Sequence, residues 1–143
     1  MFYGEYEHSL DEKGRLTVPS RIREAMKQGG VTGFMITRGL DDCLFLFPPD
    51  QWQKYVEKLD SLPPEKGSTR RFTRMLYSGA SECSPDRQGR IFIPPNLREY
   101  AHIDKEVVII GVKNRLELWD KSTWEVFSKE SVESFEQIAE ELW

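Results

Sequence analysis

The chain has 143 residues, 38% of them apolar, a size at which one domain with a true core is the default. Its formal net charge is −4, its two cysteines stand without a CxxC pair, and His8 and His102 are its only histidines, which leaves no disulfide framework and no zinc-ligand set. There is no signal-like opening and no apolar run long enough to span a bilayer, so Cys43 and Cys83 read as buried thiols in a reducing cytoplasm, with no membrane partner.

Residues 5–10 alternate weakly, as a strand does, and run into the turn Asp11-Glu12-Lys13-Gly14. Asp11 can bond backbone N–H groups two residues on, and Gly14 supplies the positive φ needed before a return strand. That strand is Arg15-Leu16-Thr17-Val18. Pro19 presets a helix start, and a short helix runs from Ser20 to about Gln28, closed by Gly29-Gly30. Residues 34–38 and 43–47 read as a hairpin around Gly39-Leu40-Asp41-Asp42. Pro49 opens an amphipathic helix through Leu59, with Trp52, Tyr55, Val56 and Leu59 at helical spacing.

Residues 60–69 bunch Pro, Gly and Ser and read as a linker, followed by a short basic helix over 69–77. Strand, turn, strand, helix and hairpin then recur, with residues 107–112 and 116–119 as the later hairpin. Residues 122–142 read as one long acidic helix with Trp124, Phe127, Val132, Phe135, Ile138 and Leu142 on one apolar stripe.

The recurrence is written in the residues themselves. DEKGRLTVPSRIRE at 11–24 matches DRQGRIFIPPNLRE at 86–99, an offset of 75. Phe2, Gly4 and Glu7 fall on Tyr77, Gly79 and Glu82 at that offset, and after a three-residue change Gly39, Leu44, Leu46 and Trp52 fall on Gly111, Leu116, Leu118 and Trp124. Two copies of one supersecondary unit are expected, at 5–48 and 76–120, separated by a helix and linker at 49–75 and followed by an acidic helix at 121–143. A unit of roughly 45 residues rarely stabilises itself, so the copies should share one core. Strand, short helix and hairpin twice over make this an α+β chain.

Charge is unevenly spread. Residues 117–143 carry a net −6, which leaves +2 on residues 1–116. Lys13, Arg15, Arg21, Arg23 and Lys27 follow the first turn, and Arg70, Arg71, Arg74, Arg87, Arg90 and Arg98 surround the second. Local basic patches set the field that phosphate feels. Alternation puts Leu16 and Val18, like Ile91 and Ile93, on the core side, so Arg15, Thr17, Arg90 and Phe92 face outward.

A guanidinium suits phosphate oxygens or the O6/N7 edge of guanine. Lys13, Arg15, Thr17, Arg21, Arg87 and Arg90 are therefore the candidate DNA-binding residues, and Asp11, Gly14, Asp86 and Gly89 the turn formers. The plain alternative is that Arg15 pairs with Asp11 or Glu12 merely to hold the turn. The first copy, with Lys13 and Thr17, should contribute more polar contact than the second, with Arg87, Gln88 and Phe92. Phe92 is left between a neighbouring subunit and a buried place in its own chain.

Taken in order, the opening MFYGEYEHSLDEKGRL, then TRGLDDCLFLFP, SGASECSPDRQGRIFIPPNLREYA and the late LW resemble the MraZ family of bacterial transcriptional regulators, built from two SpoVT-AbrB-type repeats. The family's Asp-x-x-x-Arg signature stands in both halves, as Asp11/Arg15 and Asp86/Arg90. The resemblance implies swapped hairpins interleaved into one small barrel with peripheral helices. It implies sequence-specific binding to double-stranded DNA with repeated motifs upstream of the protein's own cell-division and cell-wall operon, for repression or control of that operon by a nucleoid-associated cytoplasmic protein. It also implies a ring-like homo-oligomer, such as an octamer.

Two other readings compete. An AbrB-type antitoxin that binds its own promoter usually has one repeat and a flexible tail, which the duplication and the striped C-terminal segment weigh against. A scaffold that does not bind DNA gains from the acidic tail and from the exposed-looking aromatics Trp52, Trp124 and Trp143. No catalytic residues, cofactor or metal are expected: there is no Gly-rich phosphate loop, HExxH or GxSxG.

Overall fold

The computed structural model describes all of residues 1–143. The opening segment is strand β1 (Phe2–Ser9), followed after the turn by β2 (Arg15–Thr17) and helix α1 (Ser20–Gln28). Pro19 at φ −55° precedes α1, and Gly30 at φ +68° follows it, the usual proline-first, glycine-last asymmetry. Ile22 and Met26, four apart, form the helix's buried face. β3 (Phe34–Arg38) and β4 (Leu44–Phe47) are the expected hairpin. Asp41 and Asp42 turn its corner at φ +63° and +64°, a region that Asp tolerates better than most residues.

Next come α2 (Pro49–Glu57), a 3-10 turn over Lys58–Ser61 and α3 (Gly67–Gly79). α3 begins inside the expected linker and outruns the expected helix, which leaves β5 (Ser81–Cys83) only three residues long. Tyr77 and Gly79 are therefore helical where their sequence partners Phe2 and Gly4 are extended. The neighbouring strand explains it. Thr37 Oγ1 donates to the Leu76 carbonyl and Arg38 Nη1 to the Met75 carbonyl, each at 2.6 Å, satisfying the open end of the helix.

The second copy continues with β6 (Arg90–Phe92), α4 (Pro95–Tyr100), β7 (Glu106–Lys113) and β8 (Arg115–Asp120). The single long acidic helix is in fact two, α5 (Lys121–Glu133) and α6 (Phe135–Leu142), broken at Ser134 with φ −100° and ψ 3°. The break divides the apolar stripe. Trp124 and Phe127 pack against Trp119, whereas Val132, Phe135 and Leu142 are exposed.

β1, β7, β8, β4, β3 and β5, in that order, form one antiparallel sheet, and β2 and β6 form a separate two-stranded ribbon. Every strand of the first copy pairs with a strand of the second: β1 with β7, β2 with β6, β3 with β5 and β4 with β8. Exchanging the copies reverses the sheet order onto itself, which defines a pseudo-two-fold axis. It passes through the Leu16–Ile91 pair of the ribbon and the Phe45–Glu117 pair of the sheet. The α+β class stands; the sheet has free edges at β1 and β5.

The ribbon lies over one face of the sheet. Leu16, Ile91, Ile36, Leu44, Leu46, Leu116 and Leu118 share a core there with Ile22 of α1 and Leu97 of α4. A second cluster of Cys43, Phe45, Phe47, Val108 and Trp119 is packed by Trp52, Tyr55 and Trp124 from α2 and α5. Trp52 and Trp124 are thus packed against that cluster, and only Trp143, at 97% exposure, stands free. Both cysteines are buried; burial pushes the Cys83 thiol up to about 12 and raises that of Cys43 as well. Neither is poised to react near neutral pH. No helix is long and apolar enough to cross a membrane.

Candidate nucleic-acid interface

Each end of the ribbon is a turn organised by one aspartate. Asp11 Oδ1 accepts from the backbone N–H groups of Lys13 and Arg15, both at 2.9 Å, and its Oδ2 accepts from Arg15 Nε at 2.7 Å. Asp86 repeats this, with Oδ1 accepting from Gln88 N and Arg90 N at 2.9 Å and Oδ2 from Arg90 Nε at 3.0 Å. Gly14 and Gly89 both sit at φ +76°, the left-handed region the turn requires. Each aspartate thus accepts two backbone N–H groups of its own turn. Arg15 also pairs with Asp11, as the plain alternative held, but through Nε alone.

These bonds act on ionisation. The Arg15 backbone N–H, foremost, then its side chain and the Lys13 N–H hold the Asp11 carboxyl below its ordinary 3.8 against opposing desolvation. Asp86 is lowered in the same way, first by the Arg90 N–H. A lowered native value means the carboxylates favour the folded turn above the ordinary value, and that contribution disappears as pH falls through the native one. Carboxyl chemical shifts followed through an acid titration should therefore show both midpoints below 3.8, with the Lys13 and Gln88 amide resonances moving at the same midpoints.

The two turns lock onto one another. Ile93 N donates to the Gly14 carbonyl at 2.9 Å and Val18 N to the Gly89 carbonyl at 2.8 Å. A Cβ on Gly14 would lie 3.1 Å from the Arg98 guanidinium, and one on Gly89 equally close to the Arg23 side chain. Arg23 Nε also donates to the Val18 carbonyl at 3.1 Å. Each copy's helix arginine thus covers the other copy's turn glycine. These two residues were legible only as members of the basic clusters; their signal is that they occupy the same place in both repeats.

The ribbon's outer face carries two cross-strand pairs, Arg15–Phe92 and Thr17–Arg90. Leu16 and Ile91 point the other way and are buried. Lys13 and Arg87 are exposed in the turns at either end. Arg21 stands apart from this group, on α1 beside Phe2, Tyr3 and Tyr6. Arg70 is engaged elsewhere, donating to the Pro64 and Glu65 carbonyls.

The arginines differ in what remains free. Both terminal amino groups of Arg15 lack a protein partner. Those of Arg90 are partly occupied, since Nη2 donates to Gln88 Oε1 and Nη1 lies 4.0 Å from Asp11 Oδ2. Lys13 holds the place of Gln88 in the first turn and cannot accept a hydrogen bond.

The sequence model of the family described as "MraZ protein, putative antitoxin-like" matches the chain twice, over residues 1–75 and 76–143. The chain belongs to the MraZ family. A curated relative named transcriptional regulator MraZ, from Moorella thermoacetica, is 50% identical over 142 residues, 99% of this chain and 96% of its own length. The two MraZ family matches divide at residue 75, inside α3, ahead of the second aspartate-organised turn.

Proposed function

We propose that this MraZ-family transcriptional regulator binds double-stranded DNA in a sequence-specific way through the outer face of the β2–β6 ribbon. One observation carries the reading: Asp11 grips Arg15 by Nε alone, leaving a fixed, unpartnered pair of N–H donors on a surface strand. Such a fork matches guanine O6/N7 or a phosphate. In this reading Arg15 and Arg90 are the central contacts, with Thr17 beside them. Lys13 and Arg87 engage the backbone from the ribbon ends, Arg21 lies at the periphery, and the aspartates shape the turns. The first turn contributes more, because Gln88 already occupies part of Arg90.

The name of the relative supports regulation of transcription and argues against an enzyme. We take residues 5–48 and 76–120 as the two repeats, their swapped hairpins forming an interleaved barrel of ribbon over sheet, with 49–75 and 121–143 peripheral. Repression of the protein's own cell-division and cell-wall operon, from a cytoplasmic, nucleoid-associated position, completes the proposal. The antitoxin reading draws on the family description and shares the same DNA-binding ribbon.

One turn presents only two or three cations on a chain of net charge −4, so affinity must come from several linked copies on repeated motifs. A ring-like homo-oligomer, such as an octamer, supplies those copies, with the acidic α5 and α6 turned away from the DNA. Footprinting across the DNA upstream of the protein's own gene should show spaced, repeated protection. A fragment with one motif should bind far more weakly than one with several. The log–log salt slope, roughly −0.9 per phosphate neutralised, should exceed what one subunit's cations allow. A monomer by light scattering with equal affinity for both fragments would overturn this mechanism.

A further inference from the structure

The outer face of the ribbon holds one residue that electrostatics does not explain. Phe92 is 51% exposed, directly across the strand pair from Arg15, on a face otherwise made of Arg15, Thr17 and Arg90. Its flanking residues Ile91 and Ile93 are buried, so the ring stands on the outward side of the strand, and a buried place in its own chain is overturned. The pseudo-two-fold axis superposes Arg15 on Arg90 and Thr17 on Phe92. The face is therefore built from two kinds of position, a guanidinium and a side chain ending in apolar carbon, each present twice.

The first kind reads guanine; the second kind has its own partner in the major groove. The C5 methyl of thymine is the one apolar group on a base edge there, and Thr methyl and Phe both contact it. A neighbouring copy fits this spot less well, because Arg15 across the strand pair and Arg90 two residues back on the same face flank the ring with positive charge that suits a polyanion. A flanking ring also brings little entropy cost, having only two side-chain torsions.

We propose that Phe92 is a specificity-determining residue whose ring meets a thymine methyl in the major groove, next to the base read by Arg15. This rests on the DNA-binding reading above. Thr17 makes the shorter counterpart contact in the other half, so the two halves of one chain read their bases at different depths.

Selection from a random-sequence duplex pool by the full-length protein tests it, run in parallel for wild type, Phe92→Ala and Phe92→Thr. Wild type should select a motif with a thymine beside an Arg15-dependent guanine. Phe92→Ala should retain the guanine while its thymine position becomes level, and Phe92→Thr should fall between. On a single-motif duplex, replacing that thymine by uracil removes only the methyl. It should weaken wild type about fourfold and leave Phe92→Ala unchanged.

The side chain is exposed, so both variants should keep the wild-type thermal transition. An unchanged selected motif with an equal uracil penalty in Phe92→Ala would overturn the proposal. So would an unchanged motif with a smaller assembly by light scattering, which would make Phe92 a contact between copies. If wild type selects no sequence at all, the DNA-binding reading itself falls, a result distinct from either.

Discussion

Residues 1–60 alone should not form a folded monomer. In the full chain β1 and β2 take their only strand partners from the second copy, and without that copy β3 and β4 keep only each other. Leu16, Ile36, Leu44 and Leu46 are fully buried in the shared core, facing Ile91, Leu116 and Leu118 among others. Leaving such a side chain exposed costs about 1.5–3 kcal/mol. Four of them together are comparable with the whole stability of a small domain, about 5–15 kcal/mol.

Circular dichroism should accordingly show a largely unfolded fragment with no cooperative melt. Any folded fraction should be dimeric by light scattering, because a second copy of β2 can take the place of β6 across the same axis. A cooperative transition from a monomeric fragment would show that the halves are independent.

The second large effect is on binding. Arg15→Ala should abolish or severely weaken specific DNA binding while the protein stays folded. The stability cost is small because the Arg15–Asp11 pair is half-exposed, and surface pairs contribute about 0–1 kcal/mol. The binding cost is large because a bidentate base contact is worth about 1–3 kcal/mol per site and is multiplied across linked copies. Arg15→Lys should fail nearly as badly, since lysine keeps the charge but lacks the planar fork.

Arg90→Ala should weaken binding less, because Gln88 and Asp11 already engage the Arg90 terminal groups. Fluorescence anisotropy on a multi-motif duplex, with a thermal melt of each variant, separates these outcomes. Operator affinity unchanged in a folded Arg15→Ala protein would remove the ribbon from the proposed mechanism.

What the residues determined by themselves is local. The Asp-x-x-x-Arg turn closes within five residues, so Asp11, Gly14 and Arg15 announce both its shape and the outward arginine. α1 was legible, since Pro19 and Gly29-Gly30 bound it chemically at either end. The duplication was legible too, because it needs only comparison of the chain with itself.

Tertiary structure decided what depends on distant partners. A period of two states which side of a strand is apolar but not which strand covers it, so the pairing of every strand across copies became visible only in the fold. The same applies to Tyr77 and Gly79. Their sequence matches that of a strand, yet Thr37 and Arg38 satisfy a helix end at that point, and the helix prevails. Trp52 and Trp124 read as surface residues until a second cluster formed beneath them. Arg23 and Arg98 read only as members of the basic clusters until the turns they cover came from the opposite copy. Short-range hydrogen bonding is encoded in adjacent residues; long-range pairing is settled only when two halves bury one core.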